Sequence, residues 1–204
     1  MPIKHHAFYH FYNHAISNES LFRTDDNFCF FFDKYLQYVQ PMVKTYAYCL
    51  MPNHFHFMIQ IRDEKEIIDF FNPNKNLAGF ENLQGLLQAK INKQFSNFFN
   101  SYAKAYNKVF DRKGKLFRNS MKLKEVDNEG YLKKLIHYIH LNPVIHGFVE
   151  KPEEWKYSSF QAFTSGKNTM LERNDVISMF SGESGFIENH KHKVDLRLLD
   201  ELEF

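Results

Sequence analysis

The chain has 204 residues, 44% hydrophobic and 17% aromatic, enough to bury a sizeable core and to exclude wholesale disorder. A formal net charge of +2 does not by itself announce a polyanionic partner, and Cys29 and Cys49 form no Cys-x-x-Cys pair, which argues against a zinc knuckle or a disulfide framework. No apolar run approaches the about 18 residues of a membrane span and the N-terminus lacks a signal-peptide pattern, so a cytoplasmic protein with no membrane partner is expected.

In chain order, Lys4 to Ile16 alternates partly and is rich in His, Phe and Tyr, which predicts a strand. Asp25-Asp26-Asn27 offers a helix N-cap, with apolar positions at helical spacing through about Val39. Val43 to Leu50 and His54 to Ile61 read as strands joined tightly by Met51-Pro52-Asn53. A short helix and a loop are expected over Asp63 to Phe80. Glu81 to Tyr106 follows as a long helix in two pieces, its apolar residues recurring every three or four positions. Asp111-Arg112-Lys113-Gly114 marks a basic turn and Leu116 to Val126 a fourth strand. Asp127 and Asn128 cap a helix from Glu129 to about Leu141, which Asn142-Pro143 is expected to end. From Pro152 onward short elements mix with loops. Strands and helices without regular alternation predict an α+β domain, with a ferredoxin-like antiparallel sheet as the natural arrangement. Residues 1–150 are expected to form the main domain and 151–204 a C-terminal extension packed on it.

Two features carry chemistry. His54 and His56 lie two apart on a strand, so both side chains leave the same face while Phe55 and Phe57 leave the other. Paired imidazoles suit a metal ion better than a dry core, although a bare His-x-His reads more readily as exposed strand histidines. Between Lys104 and Lys124, eight basic residues face one acid, Asp111. Such a stretch is ordinarily a solvated face and, next to that, a polyanion-binding surface. Near the end of the chain, His190 and His192 form a second His-x-His, in a charged segment, and read as solvated. Trp155, Tyr157 and Phe160 read as packing residues, and Ser158 and Ser159 as turn or capping residues.

Leu50-Met51-Pro52-Asn53-His54-Phe55-His56, followed much later by Tyr138-Ile139-His140-Leu141-Asn142-Pro143, resembles the single-tyrosine HUH transposases. Within that superfamily the chain is most similar to the REP-associated tyrosine transposases. Phe95 to Lys108, Arg112 to Arg118 and Trp155 to Phe160 share the likeness, which runs from about Phe8 to Phe163. The resemblance implies a ferredoxin-like domain that cuts and rejoins single-stranded, hairpin-bearing DNA. It makes Tyr138 the nucleophile and His54 and His56 metal ligands. Asn142 stands where many relatives have Gln, and would supply a third ligand through its carbonyl oxygen. His140 competes for that role, although two residues along a helix it should face away from Tyr138. Tyr131, seven before Tyr138, shares nearly the same face.

That chemistry has matching needs. A phenol with a pKa near about 10 is a poor nucleophile unaided, and a divalent ion offsets charge developing on the phosphate. Mg²⁺ or Mn²⁺ is expected, with Mn²⁺ the more tolerant of imidazole. The resemblance is compatible with a monomer or a homodimer. Arg112, Lys113, Lys115 and Arg118 are the expected grips on the DNA backbone. A DNA-binding protein that no longer cleaves is the alternative.

Overall fold

The computed structural model describes residues 3–71, 83–119 and 121–193. Four strands, β1 (Phe8–His14), β2 (Val43–Met51), β3 (His54–Ile61) and β4 (Lys122–Val126), form one antiparallel sheet in the order β2-β3-β1-β4. Helix α1 (Asp25–Tyr38) connects β1 to β2, and α2 (Glu64–Phe71) with α3 (Leu83–Val109) connects β3 to β4. This is the ferredoxin-like order the sequence predicted. The loop expected after α2 falls on residues outside those described.

Strand alternation sorts the side chains into two cores. Tyr9, Phe11, Phe55, Phe57 and Ile59 point toward α1 and α3, where they meet Phe31, Tyr35, Phe95, Phe98 and Tyr102. Phe11 alone has ring contacts with Phe55, Phe57, Phe95, Phe98 and Phe99 at 5.1–6.2 Å. Much of the phenylalanine excess is therefore the material of this layer. The opposite face carries Cys49, Met51 and Met58 against α4 (Glu129–Ile145) and the C-terminal helices α5 (Phe160–Thr164), α6 (Arg173–Met179) and α7 (Glu183–Lys191). Cys29 is exposed and Cys49 buried, and both are free.

The chain beyond residue 151 also covers the outer edge of β2. Leu50 N–H donates to Tyr157 O at 2.9 Å, Ser159 N–H to Tyr48 O at 2.9 Å and Glu172 N–H to Thr45 O at 2.9 Å. An edge strand that would otherwise offer unpaired backbone groups is thereby closed. Trp155 adds its indole N–H to Leu50 O at 3.0 Å, and Tyr157 stacks on Phe28. Both act as the packing residues expected of them. Among the described residues no helix is long and apolar enough to cross a membrane.

Three element boundaries differ from expectation. Helix α3 is one unbroken element, because after Gly85 in its first turn neither Gly nor Pro interrupts it up to Val109. The fourth strand begins only at Lys122. Leu116 and Phe117 instead turn inward to the aromatic core, Phe117 forming an isolated bridge with Ala15 just past the end of β1. Helix α4 does not stop at Asn142-Pro143 but continues to Ile145 with Pro143 inside it. Proline removes a single N–H donor in the last turn, and the helix ends at Ile145, capped by His146 and followed by Gly147, whose φ of 71° few other residues adopt readily. Phe148 N–H then donates to Pro143 O and Gly147 N–H to Val144 O. Asn142 therefore stays helical, four residues and one turn beyond Tyr138.

Candidate active site

The site lies between the sheet and α4. A two-residue turn, Pro52-Asn53, starts β3 at His54, and this turn is held down at its tip. Leu21 and Phe22 N–H groups donate to Pro52 O, and Ala15 N–H donates to Asn53 O. His54 and His56 both face α4, with ring centroids 5.0 Å apart. Asn128 caps the other side of the site, its carboxamide accepting from Tyr131 N–H at the start of α4. Two turns on, the Tyr138 ring meets His56 edge-on at 5.4 Å. Asn142 Oδ1 reaches His54 Nε2 at 2.9 Å. Tyr138 and Asn142 share the face toward the histidines, as an i, i+4 pair does.

His54 carries an unusual pair of partners. Its Nδ1 is 2.7 Å from Asn53 Oδ1 and its Nε2 is 2.9 Å from Asn142 Oδ1. Both neighbours are acceptors, and burial lowers the pKa of His54 to about 3, so the ring is neutral and owns one N–H. With that proton given to Asn53, the Nε2 lone pair and the Asn142 carbonyl lone pair converge. Turning the Asn142 amide relieves this, and so does a cation accepted by both. His56 Nε2 and Asn142 Nδ2 are also buried with no hydrogen-bond partner. A donor set of His54, His56 and Asn142 therefore fits a divalent ion. Among the described residues no three His, Cys, Asp or Glu side chains are placed to hold one metal ion, so the Asn142 amide oxygen is the candidate third ligand beside His54 and His56.

His10 is a site residue the sequence reading missed. Its Nε2 lies 2.8 Å from His56 Nδ1, and the two rings stack at 5.0 Å. When His56 Nδ1–H donates to His10, His56 Nε2 is left bare as a ligand, the usual arrangement behind a metal-binding histidine. Burial lowers His10 to about 3 and His56 well below its ordinary value, the neighbouring histidines adding to the effect on His56. His14 stacks on His54 at 4.9 Å, and His146, at the end of α4, approaches it at 5.2 Å. The parity of His10 and His14 on β1 was visible in the sequence. The register of their strand against β3 was not.

The remaining expected residues separate. His140 is no competitor for the third position, because it faces away from the sheet histidines and bonds to His190 and Ser159. His190 is not solvated, as the charged segment suggested. It is buried among Phe160, Phe180 and Phe186, whereas His192 is exposed. Tyr131 lies under the Lys124 ammonium at 5.9 Å, two turns from Tyr138. Arg112 is engaged within its own loop, donating to Glu19, Asn107 and the Lys115 carbonyl at 2.8–3.0 Å. Lys113, Lys115 and Arg118 are exposed. The loop meets the site, since Arg118 N–H donates to the carbonyl of His14 at 2.8 Å.

The fold and this constellation define a ferredoxin-like domain with a His-x-His strand facing a tyrosine-bearing helix. In sequence and in fold the chain resembles the REP-associated tyrosine transposases. A Haemophilus influenzae protein bearing that name is 25% identical over 119 residues, 57% of this chain; the chain spans about 58% of that relative's length. A solved REP-associated tyrosine transposase bound to a REP hairpin shares the fold with a TM-score of 0.50 and 15% identity, over 85% of this chain and 89% of that one. No protein-family profile matches the chain.

Proposed function

We propose that this protein is a transposase-like strand transferase that cleaves and rejoins single-stranded, hairpin-bearing DNA through a 5′-phosphotyrosine at Tyr138. One observation carries the reading: α4 sets Tyr138 against His56 and Asn142 against His54 at once. Binding of a REP hairpin by the structural neighbour points to the same class of substrate. In the reaction the Tyr138 oxygen bonds to phosphorus and the bond to the 3′ oxygen breaks. The phenol gives up its proton and the leaving oxygen gains one, so the phosphodiester's energy is retained for rejoining. His54, His56 and Asn142 would hold Mg²⁺ or Mn²⁺, which when bound would offset charge on the phosphate. Residues 1–150 would form the catalytic unit and 151–204 its extension, acting as a monomer or a homodimer. The test is covalent capture. Protein is incubated with Mn²⁺ and 3′-labelled hairpin oligonucleotides, then run on a denaturing gel, where a labelled adduct supports the reading.

A second reading, a binder of the same fold without cleavage, is favoured by the burial of Tyr138, which is 1% exposed. Specific hairpin binding with no adduct would select it.

Two expectations follow for the surroundings. His10→Ala leaves His56 without its orienting partner, and Mn²⁺ affinity by calorimetry should fall about 10- to 100-fold; unchanged affinity would remove His10 from that role. Lys113, Lys115 and Arg118, replaced together by Ala, should weaken hairpin binding. Loss of three phosphate contacts to a single strand should flatten the slope of log K against log salt by about 2. Arg112 is better left intact in that experiment, because its bonds to Glu19 and Lys115 hold the loop together. An unaltered slope would move the DNA path elsewhere.

A further inference from the structure

Helix α4 is gripped on the side away from His54 and His56 by a chain of hydrogen bonds whose direction follows from its fixed ends. His190 Nδ1 lies 2.7 Å from Phe186 O, a carbonyl that only accepts, so the proton is on Nδ1 and Nε2 is bare. His140 Nδ1, at 3.0 Å, must therefore donate to His190 Nε2. That leaves His140 Nε2 to accept from Ser159 Oγ–H at 2.7 Å, the Tyr48 carbonyl being the more distant acceptor for the same hydroxyl at 3.2 Å. Ser159 Oγ in turn accepts from the Tyr48 N–H of β2 at 2.8 Å. The His140, His190 and Ser159 side chains are all buried, and Phe160, Phe163 and Phe186 surround the His140 ring at 5.5–5.7 Å. The relay runs from α7 through α4 to the sheet.

His140 stands midway between Tyr138 and Asn142 in sequence. At about 100° per residue it projects nearly opposite both. Holding His140 thus fixes the rotation of α4 about its own axis, and with it where the other two point. A rotation of about 10° moves an atom at the helix's outer radius of about 6 Å by about 1 Å, and a misplacement of that size can cost about 10²-fold in rate.

We infer that His140, Ser159 and His190 are positioning residues: the C-terminal extension sets the attack geometry of Tyr138 through this relay. The inference rests on the reading of Tyr138 as nucleophile. Its test compares hairpin affinity with the single-turnover rate of covalent capture in Ser159→Ala, His190→Leu and His190→Gln. In Ser159→Ala and His190→Leu affinity should stay within about twofold while capture slows about 10- to 100-fold. His190→Gln, with an amide oxygen to accept from His140 and an N–H to donate to Phe186 O, should capture at close to the wild-type rate. Wild-type capture in folded Ser159→Ala and His190→Leu would overturn the relay, as would His190→Gln as slow as His190→Leu. If the wild type captures nothing, the reading of Tyr138 fails first and the inference with it. Imidazole ¹⁵N spectra of the wild type, which need no variant, should show both His140 and His190 protonated on Nδ1; the opposite tautomer at either would overturn the proposal.

Discussion

Tyr138→Phe should retain hairpin binding and lose covalent capture by at least about 10³-fold, the scale on which removal of a nucleophile ordinarily registers. The substitution deletes one oxygen and keeps the ring that meets His56 at 5.4 Å, so its cost in stability should stay within about 1–3 kcal/mol. Binding and melting therefore serve as internal controls, and a rate loss cannot be assigned to unfolding. Tyr131→Phe should capture at the wild-type rate, because Tyr131 sits two turns away beside Lys124 of β4. The label belongs at the 3′ end of the oligonucleotide, since a 5′-phosphotyrosine retains the downstream fragment. An adduct that survives in Tyr138→Phe would transfer the role to another tyrosine. The burial of Tyr138 adds an expectation of its own. Capture should require side chains over the phenol to move aside, so it should be slower than hairpin association.

Much of this arrangement was legible in the chain because it follows from periods. The two-residue period of a strand places His54 and His56 together, and the helical period places Asn142 under Tyr138. What escaped depends on pairing between distant segments. His10 reaches His56 because Tyr12 is opposite His56 in the register of β1 with β3, and no local pattern states that register. His190 looked solvated from its charged neighbours, yet Phe186 lies four residues before it on the same helical face. That spacing was the available signal. Arg112 illustrates the limit of composition: its partner Glu19 is 93 residues away, and a guanidinium that staples a loop looks in sequence like one that grips a phosphate. Pro143 shows a local rule outweighed by position, since a proline in the last turn leaves little helix to break.

The same buried histidines should make the metal-free protein unusually sensitive to mild acid. Burial lowers His10, His54 and His190 from 6.5 to about 3, and lowers His56 and His140 well below 6.5. The folded state thus refuses protons that the unfolded chain accepts from about pH 6.5 downward. Stability is then fully present above that pH and is lost as pH falls toward the folded values. At about pH 5 each of the three histidines held near 3 costs about 2 kcal/mol, about 6 together. That lies within the whole stability of a typical domain at about 5–15 kcal/mol, and His56 and His140 add a loss of the same sign. Denaturant unfolding followed from about pH 7.5 to 4.5 should show stability falling by about 4 kcal/mol per pH unit or more, the slope of about three protons from His10, His54 and His190 alone. Glu19, Asp25, Asp63 and Glu188, whose values are lowered by hydrogen bonds to neighbouring side chains or backbone, add a loss of the same sign. Their ordinary values of 4.5 or below confine that loss to the acid end of the range. Stability unchanged between about pH 7 and 5 would mean that the histidine cluster opens to solvent in the native state. Mn²⁺ at about 100 times its dissociation constant should add about 2.7 kcal/mol at neutral pH and push the acid midpoint lower. His190→Gln, which removes one titrating ring far from His54 and His56, should reduce the slope by about one proton with or without the metal.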